Sequence, residues 1–195
     1  MIGMIILNKK QLRKKMIKTL QSFSKDEKLE KEQKIHQKLL NFIEENGINS
    51  VGLVLSMPHE MDTWPIIERL KENGVKLYAP KSDYVTKGMN FYEVKKREDL
   101  LTDDKGILIP DDTNELNNSP ELLIVPGVIF NEKGYRTGYG GGFYDRFLKD
   151  FNGLKISALF DEQFGEVIVE SHDMPVDLLI TPTKTINAKE NRLND

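Results

Sequence analysis

Residues 51–79 read VGLVLSMPHEMDTWPIIERLKENGVKLYA, and the change of texture along them decides the fold class. Two short apolar runs, Val51 to Leu55 and Val75 to Ala79, flank a stretch in which Ile66, Ile67 and Leu70 recur at helical spacing. Thr63 ahead of Trp64-Pro65 supplies a cap and a proline near the helix start, and Gly74 supplies the stop. Strand, helix, strand is the result. Further apolar runs at Met89 to Val94, Leu122 to Val125, Lys155 to Phe160 and Leu178 to Thr181 read as more strands. Strands this continuously apolar need cover on both faces. The prediction is α/β: a mostly parallel sheet flanked by helices on both faces, in a Rossmann-like three-layer single domain. In such sheets ligands sit beyond the carboxyl ends of the strands, so the loops after strands are where chemistry is sought.

Toward the N-terminus, Asn8 reads as the cap of a basic helix in which Leu12, Met16 and Leu20 lie four apart, a stripe suited to docking on a core. Ser24 and Glu27 have capping-box spacing, and Leu29, His36, Leu39, Leu40 and Ile43 then carry a second helix to Gly47. Residues 1–8 are read as a leader, expected to be disordered. Asp111 to Pro120, rich in Asp, Asn and Pro, reads as an exposed excursion, and a further helix is expected from near Gly142 to about Lys149.

The chain has 195 residues, 38% of them hydrophobic and 30% charged, which suits one domain over residues 1–195. A net charge of −3 gives no whole-molecule attraction to nucleic acid or anionic lipid. The absence of cysteine excludes disulfides, thiolate nucleophiles and cysteine-ligated zinc, and no apolar run is long enough to span a bilayer. The expectation is a cytoplasmic monomer with small-molecule partners, no nucleic acid and no membrane.

Residues 125–148, VPGVIFNEKGYRTGYGGGFYDRFL, hold six of the 14 glycines. No Gly-Lys-Ser/Thr closes a Walker A loop, and Phe143 stands where the last glycine of a dinucleotide fingerprint would fall. Glycines between a strand and a helix still let backbone N–H groups approach an anion, which suggests a phosphate cradle. Arg136 would supply a forked donor for phosphate oxygens. Asp145 in the same first turn would repel that anion unless a cation lay between them, which points to magnesium. The purely structural alternative is a glycine-rich turn with Asp145 as a favourable acid at a helix start.

The segment resembles the signature of the 5-formyltetrahydrofolate cyclo-ligase family: Pro126-Gly127, an apolar pair, Phe130, then Gly134-Tyr135-Arg136, Gly138-Tyr139-Gly140-Gly141-Gly142 and Tyr144-Asp145-Arg146. The similarity extends to Lys9-Lys10-Gln11-Leu12-Arg13, to Leu55 through Glu60 and to Asp173 through Asp177. It implies that Lys9, Lys10, Gln11, Leu12 and Arg13 bind ATP together with Arg136, Thr137, Gly138, Tyr139, Gly140, Gly141, Gly142, Phe143 and Tyr144. Leu55 and Glu60, with Tyr139 to Phe143, would contact the folate; Asp145 and Asp173 would hold Mg2+; Arg136 would be catalytic. The implied reaction is the ATP-dependent closure of 5-formyltetrahydrofolate to 5,10-methenyltetrahydrofolate. The chain departs from the family pattern at Asn131, Thr137 and Phe143, where aspartate, leucine and tyrosine are common.

Two other readings fit a glycine-rich anion loop: an isomerase or transferase acting on a phosphorylated sugar or coenzyme A ester, and a folate- or nucleotide-binding protein without turnover. His36, His59 and His172 lack zinc spacing, and none is assigned a catalytic role; His36 is expected to pack or hydrogen-bond on its own helix. Trp64 is read as a core anchor at a helix start ahead of a stacking platform for a ligand.

Overall fold

A computed structural model of the chain describes residues 8–194. In chain order the elements are α1 (Lys9–Gln21), α2 (Lys25–Glu45), β1 (Ser50–Gly52), α3 (Trp64–Glu72), β2 (Lys76–Ser82), β3 (Met89–Glu93), β4 (Leu101–Thr102) and β5 (Leu108–Ile109). They continue with β6 (Leu122–Ile124), β7 (Ile129–Phe130), β8 (Arg136–Thr137), α4 (Phe143–Leu148), β9 (Leu154–Ala158), β10 (Leu178–Ile180), β11 (Thr185–Asn187) and α5 (Ala188–Leu193). Seven strands make one sheet in the order β11-β10-β9-β6-β1-β2-β3. The five inner strands are parallel, and β3 and β11 close the edges antiparallel. The α/β expectation holds.

β1 pairs with β2 on one side and β6 on the other, so the winding reverses between β1 and β6. Loops leaving two such strands diverge and open a crevice at their carboxyl ends. The loop after β1 carries Leu55 and Glu60; the chain after β6 leads into the glycine-rich segment.

Neighbouring residues of a strand face opposite sides of the sheet, and the core divides accordingly. Leu77 and Ala79 of β2 and Leu122 and Ile124 of β6 join a cluster filled by Ile35 and Leu39 of α2 and Ile66 and Leu70 of α3. Tyr78 and Leu123, one residue out of phase, join a second cluster with Leu148 of α4 and Ala188 of α5. Both faces are covered. In α1, Leu20 is buried and Met16 packs against the first cluster, so the basic helix docks by its apolar stripe.

The caps at Asn8 and Ser24 form as predicted: Asn8 Oδ1 accepts from Gln11 N at 3.0 Å, and Ser24 Oγ accepts from Glu27 N at 3.1 Å. The expectation for the leader falls outside the described residues apart from Asn8. Thr63 stands at the cap position of α3 without capping it. Its Oγ1 instead donates to Val54 O at 2.9 Å and accepts from Ser56 N at 3.1 Å, while Asp62 Oδ1 takes the N–H of Trp64. Pairing in β1 ends at Gly52, short of the expected Leu55, although Leu53 N still donates to Tyr78 O at 2.9 Å. Asp111 to Pro120 is mostly exposed, as expected, but it is tied to the β3 edge, where Asn117 N donates to Phe91 O and Glu115 O accepts from Glu93 N. Trp64 packs against the first cluster beneath the Arg97 guanidinium, in keeping with a core anchor. Among the described residues no helix is long and apolar enough to cross a membrane.

Candidate functional site

The crevice is a cleft of about 530 Å³. Its lining combines apolar side chains, among them Val54, Leu55, Met89, Ile107, Ile109 and Phe143, with charged ones, among them Lys9, Arg13, Arg136, Asp145, Glu170 and Asp173. The glycine-rich residues 138–142 line it too.

Glu60 is positioned from behind by α2. Lys28 Nζ donates to Pro58 O at 2.8 Å, Glu32 Oε1 accepts from Asp62 N at 2.8 Å, and His36 Nε2 lies 2.7 Å from Asp62 O. These three side chains are spaced four apart and so share one helix face, which clamps the loop against the sheet. His36 therefore packs part-buried, as one of its two sequence readings has it, while its hydrogen bond reaches across to the loop and not within its own helix. Because the partner is a carbonyl, the imidazole must donate, which needs a proton on Nε2. Burial lowers its pKa below the ordinary 6.5. The unfolded chain then takes up the proton more readily than the folded one, so stability is full above about pH 6.5 and falls as pH drops through it. We expect the Tm of the wild type to fall by more than that of His36→Gln between about pH 7.5 and 5.5, since Gln keeps a donor that does not titrate. Equal falls in thermal unfolding would contradict this.

Within the loop, Glu60 Oε2 accepts from Met57 N at 2.8 Å and Oε1 accepts from the Tyr139 hydroxyl at 2.7 Å. His59 Nε2 lies 2.8 Å from the same hydroxyl. Tyr139 has one proton and a carboxylate only accepts, so that proton points at Glu60 and His59 is the donor to the phenol oxygen. This chain of bonds latches the glycine-rich segment to the loop after β1. Burial, with the Glu60 carboxylate beside it, raises the Tyr139 pKa well above its ordinary value, which keeps the bond a donated one.

Arg136 lies in β8 with its side chain almost wholly buried. Nη2 donates to Asp145 Oδ1 at 3.0 Å and Nη1 to Met174 O at 2.6 Å, while Met174 N also donates to Asp145 Oδ1. The positive charge that the sequence argument required beside Asp145 is thus supplied in part by Arg136 itself. Burial pulls the guanidinium pKa down, and Asp145 opposes that pull. Asp145 Oδ2 has no hydrogen bond among the described residues, and Met174, which donates to Asp145 Oδ1, follows Asp173 in the chain. Asp145 and Asp173 both line the cleft, and carboxylates are the oxygen ligands that magnesium prefers. Asp173 also belongs to a group with Glu170 and His172 whose ligating atoms lie within 4.8 Å of one another. Lys9 Nζ sits 3.0 Å from Glu170 and 3.8 Å from Asp173 and offsets that charge.

From α1 the structure brings Lys9 and Arg13 to the cleft, but not Lys10, Gln11 or Leu12. Positions four apart share a helix face; the three between them point elsewhere, and Gln11 is spent on the Asn8 capping box. Arg13 Nε donates to Gly138 O at 2.7 Å, tying α1 to the glycine-rich segment. Gly140 has φ +99°, a conformation that favours glycine, and its Cα side faces the Arg13 guanidinium at van der Waals range. Gly142, at φ +65°, leads into α4, which no side chain caps. The first amides of α4 thus lack a side-chain acceptor, as the phosphate-cradle reading requires.

Leu55, Glu60, Arg136 through Tyr144, Asp145 and Asp173 all line the cleft. Sequence reasoning missed His59, whose role depends on a contact 80 positions away. It also missed the β4–β5 hairpin, which brings Asp103, Lys105 and Ile107 to the cleft. Tyr84, in the connection between β2 and β3, donates to Asp103 Oδ2 at 2.8 Å and packs edge-on to Phe143 at 5.6 Å. Burial, with Asp103 adding to it, pushes the Tyr84 pKa up to about 12.

Known proteins resemble this chain along most of its length. The sequence model of the 5-formyltetrahydrofolate cyclo-ligase family matches residues 6–182. The 5-formyltetrahydrofolate cyclo-ligase of Escherichia coli (strain K12) is 33% identical over 145 residues, covering 70% of this chain and 79% of the relative. That of Mycoplasma pneumoniae is 28% identical over 179 residues, covering 89% and 98%. Among solved structures, the 5,10-methenyltetrahydrofolate synthetase of Aquifex aeolicus superposes with a TM-score of 0.82 at 28% identity, covering 94% of each chain. The Mycoplasma pneumoniae 5,10-methenyltetrahydrofolate synthetase gives 0.74 at 25% identity, covering 90% of this chain and 99% of that one.

Proposed function

Because the chain belongs to the 5-formyltetrahydrofolate cyclo-ligase family, we propose that it converts 5-formyltetrahydrofolate and ATP to 5,10-methenyltetrahydrofolate, ADP and phosphate. The observation that supports this best is the cleft itself. Apolar side chains that suit a heterocycle and the cations Lys9 and Arg13 that suit phosphates line one cleft together with the glycine-rich residues 138–142.

The chemistry explains why both ligands must share one cleft. N10 has to attack the formamide carbon on N5, which resonance leaves a poor electrophile with a poor oxygen leaving group. In the reaction proposed, the formyl oxygen takes the γ-phosphoryl group: its bond to phosphorus forms as the bond to ADP breaks. N10 then attacks the activated carbon, the C–O bond breaks with its electron pair leaving on phosphate, and N10 loses its proton. For such a transfer the protein's task is mainly to place the reactants in line and to stabilise charge.

This chain's residues suit that task. Glu60, an oriented acceptor beside Leu55, would receive the pterin N–H groups; Lys9, Arg13 and the uncapped start of α4 would hold the phosphates. Magnesium held by Asp145 and Asp173 would offset phosphate charge during transfer. Arg136 would act largely by fixing Asp145 and the Met174 carbonyl. The test is absorbance in the methenyl-folate band after mixing the protein with 5-formyltetrahydrofolate, magnesium and ATP. Growth of the band only when ATP is present is expected; a flat trace from folded protein would sink the proposal.

A further inference from the structure

Two hydroxyl oxygens of cleft-lining residues, Thr137 Oγ1 and the Tyr144 phenol oxygen, are sealed from solvent without any hydrogen-bond partner among the described residues. Buried polar atoms in folded proteins are nearly always paired, so an orphan at a binding cleft needs a reason. Tyr144 is the more informative. It sits in the first turn of α4, its ring edge-on to Phe91 at a centroid distance of 6.5 Å. That packing needs a ring and no hydroxyl, as the neighbouring Phe143 illustrates on Tyr84. The phenol is also within electrostatic reach of the Glu60 carboxylate and of the Arg136 guanidinium. It therefore lies near both the group assigned to the pterin and the Arg136 guanidinium.

We propose that Tyr144 is a further catalytic residue, whose hydroxyl donates a hydrogen bond to the oxygen that passes from the formyl group to phosphate. The proposal rests on the folate reaction set out above. Its effect belongs to the second step. As the C–O bond breaks, the electron pair stays on the bridging oxygen and negative charge grows there; a fixed donor stabilises that charge more than it stabilises the bound substrates. Tyr144 keeps its proton throughout, so the step needs no further acid, base or co-reactant. In the ligand-free protein the hydroxyl is unpaired and covered, so its bond to the bridging oxygen forms as the cleft wall at Tyr144 shifts around the bound ligands.

Tyr144→Phe separates this role from a packing role, because its two readouts should move in different directions. Removing an unpaired buried hydroxyl while keeping the ring leaves the Tm of the ligand-free protein unchanged or raised. At the same time kcat for ATP-dependent ring closure should fall by about 10²-fold, with KM for both ligands changed by less than about 3-fold. Turnover within about 2-fold of the wild type would overturn the proposal. So would a Tm lowered by several degrees, since that would show the hydroxyl already partnered in the free protein. If the wild type itself forms no methenyl product with ATP, the underlying function has failed, and this is recognised without the variant.

Discussion

Arg136→Ala is expected to lower the Tm by about 6–12 °C and to cost about 10²–10³ in turnover. From the sequence, Arg136 reads as a forked donor for phosphate oxygens. The structure shows a buried guanidinium bonded to Asp145 and to the Met174 carbonyl. Removing one partner of such a pair leaves the other uncompensated, which typically costs about 3–5 kcal/mol. Asp145 keeps 24% of its side chain exposed, so the lower end, about 3 kcal/mol, applies, and for a chain of this length that corresponds to the stated shift. The double variant Arg136→Ala/Asp145→Ala should be less destabilised than the sum of the single ones, because it strands no charge. Additive losses in thermal unfolding would contradict the pairing.

Glu60→Gln is expected to raise KM for 5-formyltetrahydrofolate by about 10–100-fold and to leave MgATP affinity within about 2-fold. The amide can still accept from Met57 N, so the loop keeps its shape, but the other position becomes a donor where pterin N–H groups need an acceptor. Tyr139 shares that carboxylate oxygen at 2.7 Å, so Tyr139→Phe and Glu60→Gln should be non-additive in kcat/KM. Calorimetric titration with MgATP alongside steady-state kinetics separates the two ligands. An equal loss for both would place Glu60 outside the folate side.

Much of this architecture is legible from residues 51–79 and 122–181, because parallel strands covered on both faces are continuously apolar and the helix between them is not. The reversal between β1 and β6 is less so: it depends on which strands become neighbours, and apolar runs carry no such label. The hairpins β4–β5 and β7–β8 have strands of two residues, too short to show a period of two. Arg136, Tyr139 and Asp145 stand out through the glycine-rich signature, but their pairing with Glu60 and Met174 does not, since those contacts span 79 and 38 positions. Helical spacing alone would have separated Lys9 and Arg13 from Lys10, Gln11 and Leu12. The resemblance placed all five on ATP, and the structure brings two of them to the cleft.

The central claim is that ATP activates the formyl oxygen, and following that atom tests it most directly. With 5-formyltetrahydrofolate carrying ¹⁸O in the formyl group, the account predicts that the label appears in inorganic phosphate, one labelled phosphate for each methenyl product formed. Unlabelled phosphate beside methenyl product, or ring closure that proceeds without ATP, would contradict it.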